Sequence, residues 1–411
     1  MSAPAAAGGA GTEPVVLEYL LLGLRLGRHV PGFVDSWAGD PALPARVEAE
    51  PPADPAALAR RAARLRREAA DSGLAAARRD FLTAQFAALE CGARRLAGEQ
   101  VPFVEEIETY FQVRIGMGDT DRYAAAHDAL AGLLPGAGPL RARLEEFRAR
   151  NAVPPDALHR AVRAVSDALR VLVRDRYGLP PGEEVTYEVV RDRPWNAFNR
   201  YLGRYRSVVS LNEPAGADLG ALPLIAAHEC YPGHHTERSL KEAELVADGQ
   251  HEHAIALVNT PQSLMAEGIA EHALAAVMPA GWGAWTAEIL AAEGVRMDGE
   301  RVEQVMRHVR TLLPARQDAA LLLHDRGAGT DAAVAHLRRW LLLGEERARR
   351  MTAFLTDPLW RAHTTTYIEG ARLVAAWTAL GDPRRRFRRL LAEPLLPARL
   401  GKDIVNTAPA H

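Results

Sequence analysis

The segment that most constrains this chain is residues 226–237, with the sequence A-A-H-E-C-Y-P-G-H-H-T-E. It follows an apolar run over residues 221–227 that predicts a helix packed in the core. Neutral imidazole is a favoured zinc ligand, and a carboxylate beside the first ligand can take a proton from water held by the metal. We therefore predict a divalent metal site with His228 as a ligand and Glu229 as the general base.

The spacing of the histidines departs from the usual H-E-x-x-H helix, whose two ligands lie one turn apart. His234 and His235 follow His228 by six and seven positions. On an unbroken helix the first would face the wrong side, and the second would lie about 10 Å along the axis. The Pro232-Gly233 pair predicts a helix that breaks after Tyr231, loops out two residues and returns His234 to the metal. His235 stays open as the alternative ligand, as a neighbour of the ligands or as a substrate-facing residue.

A third ligand is available on the amphipathic helix predicted for residues 263–277. Glu267 lies on this helix after an apolar pair, and it could complete a His, His, Glu site with one position open for water. Glu271 lies four residues further on the same face and could orient a ligand. The triplet His251-Glu252-His253 is instead predicted at the surface, because adjacent side chains point to different faces of a helix.

The H-E-C-Y-P-G-H-H motif resembles the H-E-x-x-P-G-H-H signature of a bacterial family catalogued as domain of unknown function 885. Its members are predicted zinc metallopeptidases, mainly helical and distantly similar to the carboxypeptidase Taq and angiotensin-converting-enzyme group. The other similar segments are residues 26–35, residues 101–113 with 133–136, residues 265–270 and residues 366–372. The block over residues 265–270 resembles the family's E-G-W-A, with Ile269 where Trp is usual.

The resemblance implies roles for three further residues. Glu267 becomes the third metal ligand. Tyr367, in a Y-x-x-G segment, would aim its hydroxyl at the oxyanion that develops during hydrolysis. Arg372 would bind a terminal carboxylate of the substrate as a fork.

Composition bounds the remaining possibilities. The chain has 411 residues with 48% hydrophobic content, and its 50 basic and 52 acidic residues give a formal charge of -2. This balance predicts neither a nucleic-acid partner nor an anionic membrane partner. We expect no membrane span, because the sequence contains no run of 18 uncharged apolar residues. Two cysteines, Cys91 and Cys230, indicate a reducing cytoplasm. Residues 1–13 are Ala/Gly-rich and lack the basic start and apolar centre of a signal peptide, so we predict a disordered tail.

Helical patterning dominates from residue 14 onward, with a loop predicted over residues 31–52 and a long helix over residues 359–380. The turn near residue 180 marks a possible lobe boundary within one unit, residues 14–411. Residues 185–190, 197–202 and 207–211 predict two or three antiparallel strands. This small sheet could bind an extended substrate by β-augmentation, or it could be purely structural.

We therefore predict a mainly α, large multi-helix metallopeptidase-like fold with a small antiparallel β-sheet next to the metal-site helix. Its expected function is zinc-dependent hydrolysis of peptide or related amide bonds, with one Zn²⁺ per chain and Glu229 activating water. An amide hydrolase for a small metabolite and a non-catalytic binding protein on the same scaffold are the alternatives. The sequence leaves open exo- versus endo-cleavage and the oligomeric state.

Overall fold

The computed structural model describes residues 12–191, 195–213 and 218–407. The tail predicted for residues 1–13 lies outside the described residues except for Thr12 and Glu13. Glu13 accepts a hydrogen bond from Arg78 at 2.7 Å, so the chain is anchored just before its first helix.

The described residues form nineteen α-helices and five strands. The first nine helices are α1 (Pro14–His29), α2 (Ala42–Ala49), α3 (Pro55–Ala70), α4 (Ala76–Leu96), α5 (Phe103–Phe111), α6 (Thr120–Leu133), α7 (Leu140–Arg150), α8 (Leu158–Tyr177) and α9 (Ala221–Glu229). The others are α10 (His234–Lys241), α11 (Pro261–Val277), α12 (Trp282–Ala292), α13 (Gly299–Thr311), α14 (Ala315–His324), α15 (Thr330–Trp340), α16 (Glu345–Thr356), α17 (Ala371–Thr378), α18 (Pro383–Ala392) and α19 (Pro397–Thr407). The strands are β1 (Val34–Trp37), β2 (Glu184–Arg191), β3 (Ala197–Gly203), β4 (Arg206–Glu213) and β5 (Ile255–Leu257).

The predicted fold class is confirmed: the chain is mainly α, with a small sheet beside the helix that carries the motif. The strand order in this sheet is β2-β4-β3, so β3 forms an edge. β3 and β4 are antiparallel as expected, whereas β2 runs parallel to β4. Asn199 of β3 donates a hydrogen bond to the carbonyl of Glu229 at 2.6 Å, which ties the edge strand to the end of α9.

Two predicted segments differ from the structure. The loop expected over residues 31–52 contains β1 and α2, and β1 pairs antiparallel with β5. The long helix expected over residues 359–380 is interrupted, since wide π-type turns over residues Thr366–Gly370 precede α17. Sequence periodicity missed the second feature because such a turn shifts the helical register by only one residue.

The buried apolar residues form two clusters. The smaller one lies among α1, α3, α4 and β5, with Tyr19 and Phe86 at its centre. The larger one extends from α4 to α19 and includes residues on both sides of position 180, such as Leu169 and Val209. The single unit and the lobe boundary near residue 180 stay predictions.

Two glycines let the segments that carry Glu267 and Tyr367 touch through their backbones. A Cβ atom on Gly268 would lie 2.5 Å from the carbonyl carbon of Gly370, and one on Gly370 would lie 2.6 Å from the oxygen of Leu264. Such distances exclude any side chain unless the backbone moves. The glycines of the E-G and Y-x-x-G segments therefore set how closely α11 approaches the Tyr367 turn.

Replacing Gly268 by alanine should lower the free energy of unfolding by about 1–3 kcal/mol, because the added methyl group is forced against the backbone of Gly370. The matched control is Gly401→Ala in α19, where a Cβ would meet no atom within 4 Å. That substitution should raise stability by about 0.5–1 kcal/mol through helix propensity. Urea denaturation of both variants measures the difference, and equal effects would contradict the close backbone contact.

His272 of α11 makes stability depend on pH. Burial, with a smaller effect of Arg310, lowers the pKa of this imidazole to about 4. A depressed pKa means that the contribution to stability is present above the unfolded value of 6.5 and is lost as the pH falls toward 4. Between pH 7 and pH 5 the wild type should therefore lose about 2 kcal/mol more than His272→Gln. Parallel urea midpoints for the two proteins across this range would refute the assignment.

Candidate metal centre

The motif helix breaks where the chain turns back over its own end. α9 ends at Glu229 and α10 begins at His234, so the break starts two residues earlier than predicted. The residue before a proline is disfavoured in helical conformation, and this effect extends the interruption on the N-terminal side of Pro232. Gly233 donates to the carbonyl of Ala227 at 2.8 Å. A Cβ there would lie 1.9 Å from the oxygen of His228, so only glycine fits this return.

This return brings His234 against His228. Their Nε2 atoms are 3.2 Å apart, and the Oε2 atom of Glu267 lies 3.4 Å from the first and 3.7 Å from the second. Bonds of about 2.0–2.2 Å in a tetrahedral zinc site place ligand atoms roughly 3.3–3.5 Å apart. The three side chains thus form a group that can hold a metal ion, as expected for these ligands.

Electrostatics of the group also fit a cation. Oε2 of Glu267 is buried and accepts no hydrogen bond within the described chain, which leaves a carboxylate oxygen available to an ion. Burial opposes its charge, but His234 and His228 hold the pKa of Glu267 well below its usual value. Burial also opposes charging of His228, yet the adjacent carboxylates of Glu267 and Glu271 raise its pKa well above the usual value. The negative potential that would protonate the imidazole would equally attract a divalent cation.

Glu271 fixes the orientation of the His228 ring. Its Oε1 atom is 3.5 Å from Nδ1 of His228, so the Nε2 atom faces the ligand group. Arg310 of α13 donates to the other carboxylate oxygen at 3.0 Å and to the Glu271 carbonyl at 3.1 Å. A metal-binding histidine commonly has its second nitrogen held in this way, which selects the tautomer and raises ligand basicity.

Glu229 is well suited to accept a proton. It follows His228 on the last turn of α9, is 8% exposed and lines the cleft described below. Burial raises the pKa of Glu229, although the neighbouring imidazoles of His228 and His234 act in the opposite direction. A carboxylate with a raised pKa is a stronger base at neutral pH than an exposed one.

Tyr367 and His363 also lie beside the proposed metal ligands. The Tyr367 ring centroid is 6.4 Å from that of His228 and 5.2 Å from that of His363. Burial and the charge of Glu267 raise the pKa of Tyr367 well above its usual value, so the phenol keeps its proton and can donate. Nε2 of His363 lies 3.6 Å from Oε1 of Glu267, and its buried Nδ1 has no hydrogen-bond partner among the described residues. Sequence reasoning missed His363, although its spacing of four residues from Tyr367 was a usable signal.

His235 does not join the group. It is fully buried, with Nδ1 2.8 Å from the hydroxyl of Ser207 and Nε2 3.1 Å from Oε2 of Glu183. Because an ionised carboxylate only accepts, Nε2 donates and Nδ1 accepts from Ser207. Burial lowers the pKa of His235, so the ring is neutral. Both nitrogens are used, and the expectation that His235 binds the metal or faces the substrate does not fit these contacts.

Arg372 also lies away from the centre. Its side chain is 75% exposed, and it donates to Glu369 at 2.8 Å on the same turn. Its expected role at a substrate carboxylate therefore does not fit the structure. The His251-Glu252-His253 triplet was wrongly predicted at the surface, since Glu252 is fully buried against Arg78.

The metal centre opens into a cleft of about 1140 Å³. Its lining includes β3 and the residues just before it, together with apolar side chains such as Met351, Phe354 and Trp360. The amide of Asn212 in β4 donates to the carbonyl of Asn196 at 2.9 Å. Because hydrogen-bonded pairs alternate in an antiparallel ladder, the backbone groups of residues 197, 199 and 201 point away from β4, toward the outer edge.

No protein-family model and no curated protein matches the chain. Among solved structures, it is similar to a candidate lipoprotein from Colwellia psychrerythraea, with a TM-score of 0.57, 13% identity and coverage of 85% of this chain. It is also similar to a candidate lipoprotein of unknown function from Shewanella oneidensis, with a TM-score of 0.50, 14% identity and 86% coverage. This chain spans 66% and 72% of the lengths of those two proteins. At this identity the likeness concerns the fold alone.

Within the described ranges, none of the helices has the length and apolar character needed to cross a bilayer.

Substitutions at neighbouring histidines should separate metal binding from structure. His234→Ala should abolish tight binding of one divalent cation per chain, because only two ligands would remain. His235→Gln should keep that stoichiometry and lower the melting temperature, since it disrupts the buried contacts to Ser207 and Glu183. Cation content by elemental analysis and thermal unfolding measure both effects. If His235→Gln lost the metal and His234→Ala kept it, His235 would be the metal ligand and His234 would be the structural residue.

Proposed function

We propose that this chain is a zinc-dependent hydrolase of peptide bonds. The proposal depends chiefly on one observation: His228, His234 and Glu267 converge at a cleft, and the buried Glu229 directly follows one of them. A donor set of two imidazoles and one carboxylate is typical of catalytic zinc sites, which keep a position open for water. A group that only bound metal would have no need of the adjacent base.

The environment of each residue suggests its role in the proposed hydrolysis. Zinc, when bound, supplies a Lewis acid that polarises a carbonyl and lowers the pKa of water. Glu229, whose raised pKa suits a general base, would take the proton from the attacking water and pass it to the leaving amine. Tyr367 would donate its hydroxyl hydrogen to the oxygen on which negative charge develops, together with His363. Glu271 and Arg310 would hold the His228 ring in place.

A peptide is favoured over a small metabolite by the cleft. Its volume of about 1140 Å³ exceeds the roughly 300–1000 Å³ usual for small-molecule pockets. Residues of β3 line it, and an extended chain could pair with the backbone groups of residues 197, 199 and 201. We therefore propose β-augmentation as the mode of substrate binding.

The resemblance of the H-E-C-Y-P-G-H-H motif to the zinc metallopeptidases of domain of unknown function 885 supports the same activity. We propose membership of that family on the motif and on the E-G and Y-x-x-G blocks, whose glycines make the close contact between Gly268 and Gly370. The two similar structures are candidate lipoproteins, and they bear on the fold only. The cytoplasmic location inferred from the two cysteines stays a prediction.

Glu229→Gln should retain zinc and lose hydrolysis, because the amide keeps the volume of the side chain but cannot accept the proton. The expected fall in kcat is about 10²–10⁴-fold, the usual contribution of a general base. Cleavage of a mixture of short peptides, followed by mass spectrometry, measures activity, and elemental analysis checks the metal. A variant that binds zinc and cleaves at the wild-type rate would remove Glu229 from the mechanism.

A further inference from the structure

Arg316, an arginine of the cleft, has no hydrogen-bond or ion-pair partner among the described residues. Arg316 lies on the first turn of α14 and lines the cleft, with its guanidinium carbon 5.5 Å from the centre of the Tyr367 ring. Its Nε atom is buried without a hydrogen-bond partner, and the guanidinium makes no ion pair within the described residues. A buried donor left without an acceptor costs about 1–3 kcal/mol. Such a group fits a site that receives its acceptor from a ligand.

The other cleft arginines near the metal centre are already neutralised. Arg310 is bound to Glu271 at 3.0 Å, and Arg238 lies 3.4 Å from Asp35. The acid closest to Arg316 in sequence, Asp318, is buried and occupied elsewhere: it accepts from the amide of Gly118 at 2.6 Å and from a tyrosine hydroxyl at 2.9 Å. Arg347 also lines the cleft without an ion pair among the described residues, but Arg316 is the unpaired arginine that adjoins Tyr367.

We propose that Arg316 binds the free terminal carboxylate of a peptide, so that the enzyme removes residues from the carboxyl end of its substrate. This inference depends on the proposed hydrolase function. A guanidinium matches a carboxylate with two parallel hydrogen bonds, which gives both strength and orientation. Tyr367 adjoins both Arg316 and His228, and this arrangement brings the carboxylate site next to the metal centre.

The position suits cleavage of the last peptide bonds of a chain. A carboxylate held at Arg316 leaves the preceding chain free to run past Tyr367 and along β3. Hydrolysis breaks the C–N bond: the hydroxyl of water stays on the carbonyl carbon, and its other hydrogen ends on the nitrogen of the released fragment. Met351, Phe354 and Trp360 line the neighbouring wall and favour an apolar side chain at the terminal residue.

The test compares N-acetyl-Ala-Ala-Phe with the same peptide as its terminal amide. Binding is measured by calorimetry on zinc-loaded Glu229→Gln protein, which does not turn the peptides over, and cleavage is measured on protein with Glu229 intact. Arg316→Gln removes the fork and Arg316→Lys keeps the charge alone. Arg372→Gln is the matched control, because it removes an arginine that is exposed and outside the cleft. A third peptide, the amide of N-acetyl-Ala-Ala-Glu, offers only a side-chain carboxylate.

We expect the acid to bind about 10–100-fold more tightly than the amide, as for hydrogen bonds to a charged group. Arg316→Gln should abolish this ratio, Arg316→Lys should reduce it, and Arg372→Gln should preserve it. Equal binding and cleavage of acid and amide would overturn the inference and leave the peptidase function intact. A preference that survives Arg316→Gln, or a Glu amide bound more tightly than the Phe acid, would also overturn it. Arg316-dependent binding of the acid without any hydrolysis would overturn the proposed function and leave only the carboxylate site, and absence of binding and cleavage would overturn both.

Discussion

The carboxylate of Glu267 is the electrostatic focus of this molecule. Its two oxygens face three imidazoles, those of His228, His234 and His363, at 3.4–3.7 Å. A buried negative charge is costly unless it is paired. Here the carboxylate lies near the ring nitrogens, but its Oε2 atom accepts no hydrogen bond from the described residues. A bound cation, or protons on the histidines, would offset the free-energy cost of burying this carboxylate.

Two backbone contacts make that arrangement possible, and both depend on the absence of a side chain. Gly233 lets the chain fold back over the end of α9, which carries His234 to His228. Gly268 lets α11, which carries Glu267, pack closely against the turn that carries Tyr367. The geometry of the candidate metal centre is therefore limited by steric constraints one residue away from its proposed ligands, at Gly268 after Glu267 and at Gly233 before His234.

The sequence predicted the helical architecture, the sheet, and the convergence of His228, His234 and Glu267. The helices, the sheet and the return of His234 to His228 follow from local patterns, namely periodicity and the Pro-Gly break. The choice of Glu267 as the third ligand came from the family resemblance. The fates of His235 and Arg372 were not predictable in the same way. His235 depends on Glu183 and Ser207, which are distant in sequence, and Arg372 is exposed and pairs with Glu369 on its own turn. Arg316 was not singled out because the lack of a partner is a property of the folded chain.

The edge position of β3 has a consequence for the chain's own solubility. An unpaired strand edge is a template on which other chains can add, and proteins usually protect such edges. Here residues of the edge strand β3 line a cleft together with residues of α9 and α16. To pair with β3 inside this cleft, a preformed sheet from another molecule would need more room than a single extended segment. The cleft that admits a single extended strand therefore also protects the edge of β3 from the strand pairing that leads to aggregation.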